Sequence, residues 1–245
     1  MTAKGSFSGI GVGPGSAGLI TVSGVKAILG SDKVLIPRAK GYKDSRALSC
    51  IQDLGLPEDK IVFVDYPMTN EEEVLDSLYD EIAEKIIAYL LEDLNLAYIT
   101  IGDPYIYSTY IYTVHALKKR MPHLPIITFP GISSFQALAA LMNVPLGIGK
   151  EKILILPCPE TAEELRLYIE QNDTVVLMKI GDRFEWVYNL ASELGVLPYC
   201  TLGKRIGLDD ELLTQNLATV DNTGKPGYLS VMLIKKNPAR GRKIT

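Results

Sequence analysis

Tyr98-Ile99-Thr100-Ile101-Gly102-Asp103-Pro104-Tyr105-Ile106-Tyr107-Ser108-Thr109 is the stretch on which the fold turns. It starts as a short apolar run rich in Ile and Thr, the signature of a buried strand. Gly102 permits close backbone approach and Pro104 cannot donate to a ladder, so the strand has to stop in an open loop. Apolar positions at helical spacing then run from Thr109 to about Arg120. A strand that stops at such a loop before a helix places the loop at the carboxyl edge of a sheet, where open α/β proteins hold ligands. An ordinary strand-to-helix turn would also have this outline; the polar run Tyr107-Ser108-Thr109 favours a site.

Outward from this stretch the same alternation recurs. Towards the N-terminus, strands are expected at Phe7 to Val12, Asp32 to Ile36 (stopped by Pro37) and Ile61 to Tyr66, with helices at Val22 to Leu29, about Ser45 to Leu54, and Glu71 to Glu92. Towards the C-terminus, strands fit Ile126 to Phe129, Lys152 to Leu156, Thr174 to Met178, Tyr199 to Lys204 and Tyr228 to Ile234. Helices fit Ser133 or Ser134 to about Met142, Ala162 to Glu170 and Phe184 to Leu194, with another expected at Leu208 to Leu217. Strands alternating with helices specify an α/β protein with largely parallel pairing. The boundary is placed after Pro130-Gly131, giving two α/β domains, 1–131 and 132–245, with a cleft between them.

Composition bounds the function. The 245 residues are 47% hydrophobic and 22% charged, with a formal net charge of -4. That balance is ordinary for a globular protein and argues against general nucleic-acid binding. No apolar run reaches the ~18 residues of a membrane span, and Met-Thr-Ala-Lys-Gly-Ser-Phe lacks a signal peptide's apolar core, so a cytoplasmic protein is expected. Three distant cysteines, Cys50, Cys158 and Cys200, disfavour a disulfide framework. His115 and His123 have no ligand-spaced partners, so no metal site is expected.

Four strand ends carry loop chemistry: those at Pro14, Asp103, Ser133 and Met178. Gly13, Gly15 and Gly18 satisfy the dinucleotide spacing G-x-G-x-x-G. However, the acid due ~20 residues on is replaced by Pro37-Arg38, and Pro14 has no N–H to give a pyrophosphate. An NADP-binding α/β protein stays as an alternative. Pro130-Gly131-Ile132-Ser133-Ser134 offers hydroxyls and backbone N–H groups at a helix start, either as a plain cap or as a grip for a carboxylate or ribose. The basic run Arg38 to Arg46 is either a solvated loop or a clamp for a polyanion.

Taken together, Gly11-Val12-Gly13-Pro14-Gly15 before Leu19-Ile20-Thr21, Gly102-Asp103-Pro104 and Pro130-Gly131-Ile132-Ser133-Ser134 resemble the tetrapyrrole methylases, S-adenosylmethionine-dependent class III methyltransferases. Within that family, Gly102 to Thr109, Tyr66-Pro67-Met68-Thr69 and Asn143-Val144-Pro145-Leu146 are similar to the precorrin-2 C-20-methyltransferase branch of cobalamin biosynthesis. Ser16-Ala17-Gly18 departs from the acidic continuation usual in that branch.

The resemblance implies a bilobal homodimer with S-adenosylmethionine in the cleft and a tetrapyrrole substrate. By position, the cofactor would meet Pro14, Ile101, Gly102, Asp103, Ile106, Thr109, Ser133, Ser134 and Met178, with Tyr228 and Leu229 as weaker candidates. Asp103 and Tyr228 are the catalytic candidates. The base for the C-20 proton is left open between Asp103, a tyrosine (Tyr105, Tyr107 or Tyr228) and water. Arg38, Lys40, Arg46, Lys179 and Arg183 are the cations available to the substrate's carboxylates. Another carbon or another substrate within the family is the other alternative.

Overall fold

The computed structural model describes residues 5–41, 45–67, 71–220, 227 and 229–236. The chain forms two compact units, Met1–Ser133 and Ser134–Thr245.

The first unit is built in chain order from β1 (Phe7–Gly11), α1 (Val22–Gly30), β2 (Lys33–Ala39), α2 (Arg46–Ser49), β3 (Ile61–Tyr66), α3 (Glu72–Leu91), β4 (Leu96–Thr100), α4 (Thr109–Arg120) and β5 (Ile126–Phe129). The strands form one sheet in the order β3-β2-β4-β1-β5, and every pair in it is parallel. Side chains alternate between its faces. Phe7, Leu96 and Tyr98 join α3 and α4 in one core, while Ile10, Ala97 and Ile99 join α1 and α2 in the other. The connection from β1 crosses one face towards β2, and the connection from β4 crosses the other towards β5. Their loops therefore diverge at the carboxyl ends of β1 and β4, the switch point at which such sheets open a crevice.

Three expectations need correction. Pro37 does not stop β2, which runs on to Ala39. The ladder to β4 ends at Leu35 while that to β3 continues, so Pro37 lies where β2 is bonded on one side only. The other two concern the second unit, which comprises α5 (Ser134–Leu141), β6 (Ile153–Pro157), α6 (Ala162–Gln171), β7 (Thr174–Met178), α7 (Phe184–Glu193), β8 (Cys200–Lys204), β9 (Leu212–Thr214) and β10 (Ser230–Lys235). Its sheet, ordered β6-β7-β10-β8-β9, has one parallel pair, β6–β7, and the rest are antiparallel. The expected helix at Leu208 to Leu217 is replaced by β9, because Leu212 to Thr214 pair back on β8 through a hairpin. Local apolar spacing cannot register that long-range pairing.

At the end of β10, the ammonium of Lys235 is almost buried and donates to the Pro145 carbonyl at 2.9 Å, while lying 3.3 Å from Glu151 Oε2. The same carboxylate accepts the Ile148 N–H at 3.0 Å, so a buried pair fastens the loop after α5 to the sheet. The three cysteines are free and buried; burial pushes the thiols of Cys50 and Cys158 up to about 11 and Cys200 to about 12, which leaves them inert as nucleophiles at neutral pH.

Candidate functional site: three loops at one sheet edge

At the carboxyl ends of β1, β4 and β5 the main chains touch. Val12 donates to the Thr100 carbonyl at 2.9 Å, and Gly102 donates to Gly13 at 2.8 Å. Thus the glycine run after β1 continues the pairing with β4. It does not open an α-helix: a single 3-10 turn, Ala17–Leu19, intervenes, and α1 starts only at Val22, capped by the Thr21 hydroxyl, which accepts the Gly24 N–H at 3.1 Å. The dinucleotide geometry, a helix N-terminus directly after the glycines, is not formed.

Close approach dictates the residue type at Gly131. A Cβ there would stand 2.0 Å from the Gly102 carbonyl oxygen and 2.7 Å from Gly11 Cα. Gly11 is constrained in the same way, with a Cβ only 2.5 Å from that oxygen.

Asp103 ties these loops together. One carboxylate oxygen accepts the Tyr105 N–H at 2.9 Å, forming an Asx turn, and the other accepts the Gly131 N–H at 3.0 Å. The Ser108 hydroxyl closes the turn by donating to the Pro104 carbonyl. The start of α4 is fixed from beneath by buried hydroxyls. Tyr98 OH lies 2.7 Å from Tyr66 OH and 3.1 Å from Thr109 Oγ1, and Tyr66 OH lies 3.3 Å from Thr113 Oγ1. Burial pushes the Tyr98 phenol well above its ordinary range and raises Tyr66, so both stay protonated.

The first unit therefore brings Pro14, Ile101, Gly102, Asp103, Ile106 and Thr109 onto loops joined by these bonds. Pro14 is buried beside Gly13, and Ser133 is buried at the end of the β5 loop. At Gly102, φ is +72° and nothing lies within 4 Å of the place a Cβ would occupy. Ile101 beside it is exposed. An unfilled Cβ position next to an exposed apolar side chain at a switch point fits the adenosyl and thioether parts of S-adenosylmethionine.

In the second unit, Ser134 opens α5 and Met178 ends β7, its carbonyl accepting the Cys158 N–H at 2.7 Å. Gly181 and Gly227 bridge next to it, with Gly181 donating to Gly227 at 3.0 Å. Tyr228 lies outside the described residues.

The cations differ in their engagements. Arg38 forms a fork on Asp65, at 2.8 Å and 3.2 Å, with its guanidinium 4.1 Å over the Phe63 ring. The adjacent guanidinium holds the Asp65 carboxyl below its usual range. Arg183 pairs with Glu160 and donates to the carbonyls of Lys179 and Ile180. Arg46 is the first residue of α2, while Lys40 and Lys179 are exposed. Lys40 lines a groove of about 890 Å³ between β3 and α3, together with Val62, Val64 and Leu78; no residue of the Gly-Asp-Pro turn lines it. Among the described residues no group of three His, Cys, Asp or Glu side chains could hold a metal ion, and no helix is long and apolar enough to cross a membrane.

Sequence reading missed the hydroxyl chain Tyr66–Tyr98–Thr109–Thr113 and the structural work of Gly11. For Gly11 the signal was available, since glycines end or follow all three strands whose loops meet.

Residues 6–221 match the model of the Tetrapyrrole (Corrin/Porphyrin) Methylases family. A protein of Methanocaldococcus jannaschii named probable cobalt-precorrin-2 C(20)-methyltransferase is 34% identical over 93% of this chain and 95% of its own. The cobalt-precorrin-2 C(20)-methyltransferase of Salmonella typhimurium is 27% identical over 95% of this chain and 97% of its own. Among solved structures, the uroporphyrin-III C-methyl transferase of Thermus thermophilus, complexed with S-adenosylhomocysteine, superposes with a TM-score of 0.63 at 15% identity, covering 95% of this chain and 98% of that one. That likeness carries the fold.

Proposed function

Because this chain belongs to the tetrapyrrole (corrin/porphyrin) methylase family, we propose that it methylates C-20 of precorrin-2 or cobalt-factor II, using S-adenosylmethionine, in cobalamin biosynthesis. The observation that carries this reading is near full-length similarity to proteins named for that reaction. The Gly-Asp-Pro turn and the loops tied to it supply the means.

When bound, S-adenosylmethionine supplies an electrophilic methyl on a sulfonium. The enamine-type carbon of the substrate is already nucleophilic, so the protein's share is orientation, which is worth several kcal/mol when both partners are held in line. Asp103 is assigned as a positioning residue: its two oxygens fix the turn and the β5 loop relative to one another. Thr109 holds the start of α4 through the Tyr98 hydroxyl. Gly102 leaves the space where a side chain would stand to the cofactor. Ser133, Ser134 and Met178 complete the expected cofactor contacts, and Tyr105, Tyr107, Tyr228 or water takes the C-20 proton. Lys40, Lys179, Arg38 and Arg183 are the cations assigned to the substrate's carboxylates; Lys40 and Lys179 are exposed, and Arg38 and Arg183 each also pair with a carboxylate of the chain. Arg46 remains with them as a candidate. The protein is further read as a homodimer, on the family resemblance alone.

A thermal-shift comparison tests the cofactor. A ligand at 100 times its Kd stabilises the native state by about 2.7 kcal/mol, which for a chain of this size is a Tm rise of about 5–10 °C. S-adenosylhomocysteine is expected to give that rise and NADP none; the reverse would sink the methyltransferase reading.

A further inference from the structure

Six residues other than glycine have left-handed backbone in the described chain, and three of them flank adjacent strand ends of the second sheet. Lys179 (φ +52°) follows β7, Arg205 (φ +55°) follows β8 and Leu229 (φ +49°) precedes β10. Leucine has neither glycine's freedom nor the local hydrogen bond by which Asn and Asp tolerate this conformation. The strain is shared across strands: the Arg205 N–H donates to the Leu229 carbonyl at 3.0 Å, and the Gly181–Gly227 bridge ties the loop after β7. Because β10 runs antiparallel to β7 and β8, all three ends lie at one edge of the sheet. Backbone strain gathered in this way is a mark of ligand sites.

Register decides which side chains stand at that edge. Met178 and Gly203 both pair with Val231, and Lys204 pairs with Ser230, so Lys204 lies one step beyond the row of Met178. Side chains alternate along β8: Cys200 and Leu202 enter the core under α6 and α7, whereas Gly203 faces Leu138 of α5. Lys204 continues the Cys200–Leu202 column and ends it at the rim of the α6–α7 face. The loop from Lys179 to Arg183 stands on that same face, since Ile180 and Phe184 share the core of Leu202. Lys204 is part-buried there. Ser230 opposite donates its hydroxyl to the Gly227 carbonyl at 2.7 Å, and among the described residues no carboxylate pairs with Lys204. A part-buried ammonium at such a rim is suited to an anion from outside the chain.

We propose that Lys204 is a substrate-binding residue whose ammonium takes a carboxylate of the tetrapyrrole at the edge shared by β7, β8 and β10. The inference deepens the function proposed above and rests on the substrate class, a tetrapyrrole polycarboxylate, not on which carbon is methylated. A compact charge on a flexible stem suits a carboxylate that is itself carried on a flexible substituent. The tied main chain on either side fixes where that stem starts.

Lys204→Gln keeps most of the stem and removes the charge. The variant is expected to keep its denaturant midpoint and to bind S-adenosylhomocysteine within twofold of the parent. Binding of cobalt-factor II and of uroporphyrin III, followed by absorbance titration, should weaken about tenfold, the size of one charge-assisted contact. The gap between parent and variant should narrow as salt rises from about 0.01 M to about 1 M, which cuts the screening length from about 30 Å to about 3 Å. Lys204→Arg should recover most of the affinity. Lys119→Gln, which removes the same charge from an exposed position on α4, should leave it unchanged. Unchanged tetrapyrrole affinity in Lys204→Gln would overturn the proposal, as would an equal loss in Lys119→Gln, an equal loss of S-adenosylhomocysteine affinity, or a wild type that binds neither tetrapyrrole. If the wild type binds both but returns precorrin-2 and cobalt-factor II unmethylated, and Lys204→Gln weakens both affinities, the binding role stands and the C-20 reaction falls.

Discussion

Gly131→Ala is expected to abolish measurable S-adenosylhomocysteine binding and to lower stability by about 2–3 kcal/mol. The new methyl would meet the Gly102 carbonyl oxygen at 2.0 Å and Gly11 Cα at 2.7 Å, both main-chain atoms. No rotamer change relieves such a contact; the loops after β4 and β5 have to separate, and forced overpacking of this kind costs about 1–3 kcal/mol or more. The gain from a less flexible unfolded chain, about 0.4–1 kcal/mol, offsets only part of it. Separation also stretches the bond from the Gly131 N–H to Asp103, so the ligand site is lost along with the stability. Gly30 supplies the control. It ends α1 with nothing within 4 Å of its would-be Cβ, and Gly30→Ala should raise the denaturant midpoint slightly, by the unfolded-chain term alone, and leave ligand binding unchanged. Denaturation and calorimetry on the two variants read the difference; equal behaviour would mean that the three-loop contact is not needed for binding.

Asp103→Ala is expected to reduce kcat/KM by ~100-fold or more, since a misplacement of about 1 Å at a site built on orientation has that effect. Two hydrogen bonds to a carboxylate are removed. At the lower end of the range for charge-assisted bonds, as suits a partly exposed group, they contribute about 3 kcal/mol together. Asp103→Asn distinguishes positioning from proton abstraction. The amide keeps one acceptor oxygen and turns an NH2 against either the Tyr105 or the Gly131 N–H, so a positioning residue loses S-adenosylhomocysteine affinity in both variants. Were Asp103 the base for the C-20 proton, Asn would bind the ligand as the parent does and fail only in kcat.

Much of the first unit was readable because its signals are local. Gly102 and Pro104 punctuate β4, and β3, α4 and β5 start and stop where residue type and spacing put them, as β7 does in the second unit. What stayed hidden was pairing at a distance. Pro37 reads as a strand end until β2 is known to lose its β4 neighbour after Leu35. Leu212 to Thr214 carry no local strand signal, and only β8 makes them a strand. For the same reason the antiparallel character of the second sheet was not visible in a simple alternation of strands and helices.

The site divides in the same way. Residue types flagged Asp103 and Gly131 separately, but the bond between them spans 28 positions. Likewise, Arg38 and Asp65 are register neighbours on adjacent strands, a fact no spacing within the basic run reveals. The Tyr66–Tyr98–Thr109 chain joins three elements and has no sequence signature at all.

C-20 methylation is tested by incubating the protein with S-adenosylmethionine and either enzymatically generated precorrin-2 or cobalt-factor II, and reading the tetrapyrrole by mass spectrometry. A gain of one methyl mass on one of the two substrates is expected, placed at C-20 by NMR, with an equal amount of S-adenosylhomocysteine formed. Both substrates returning unmethylated while S-adenosylhomocysteine still binds would contradict it, leaving the family in place and removing the substrate.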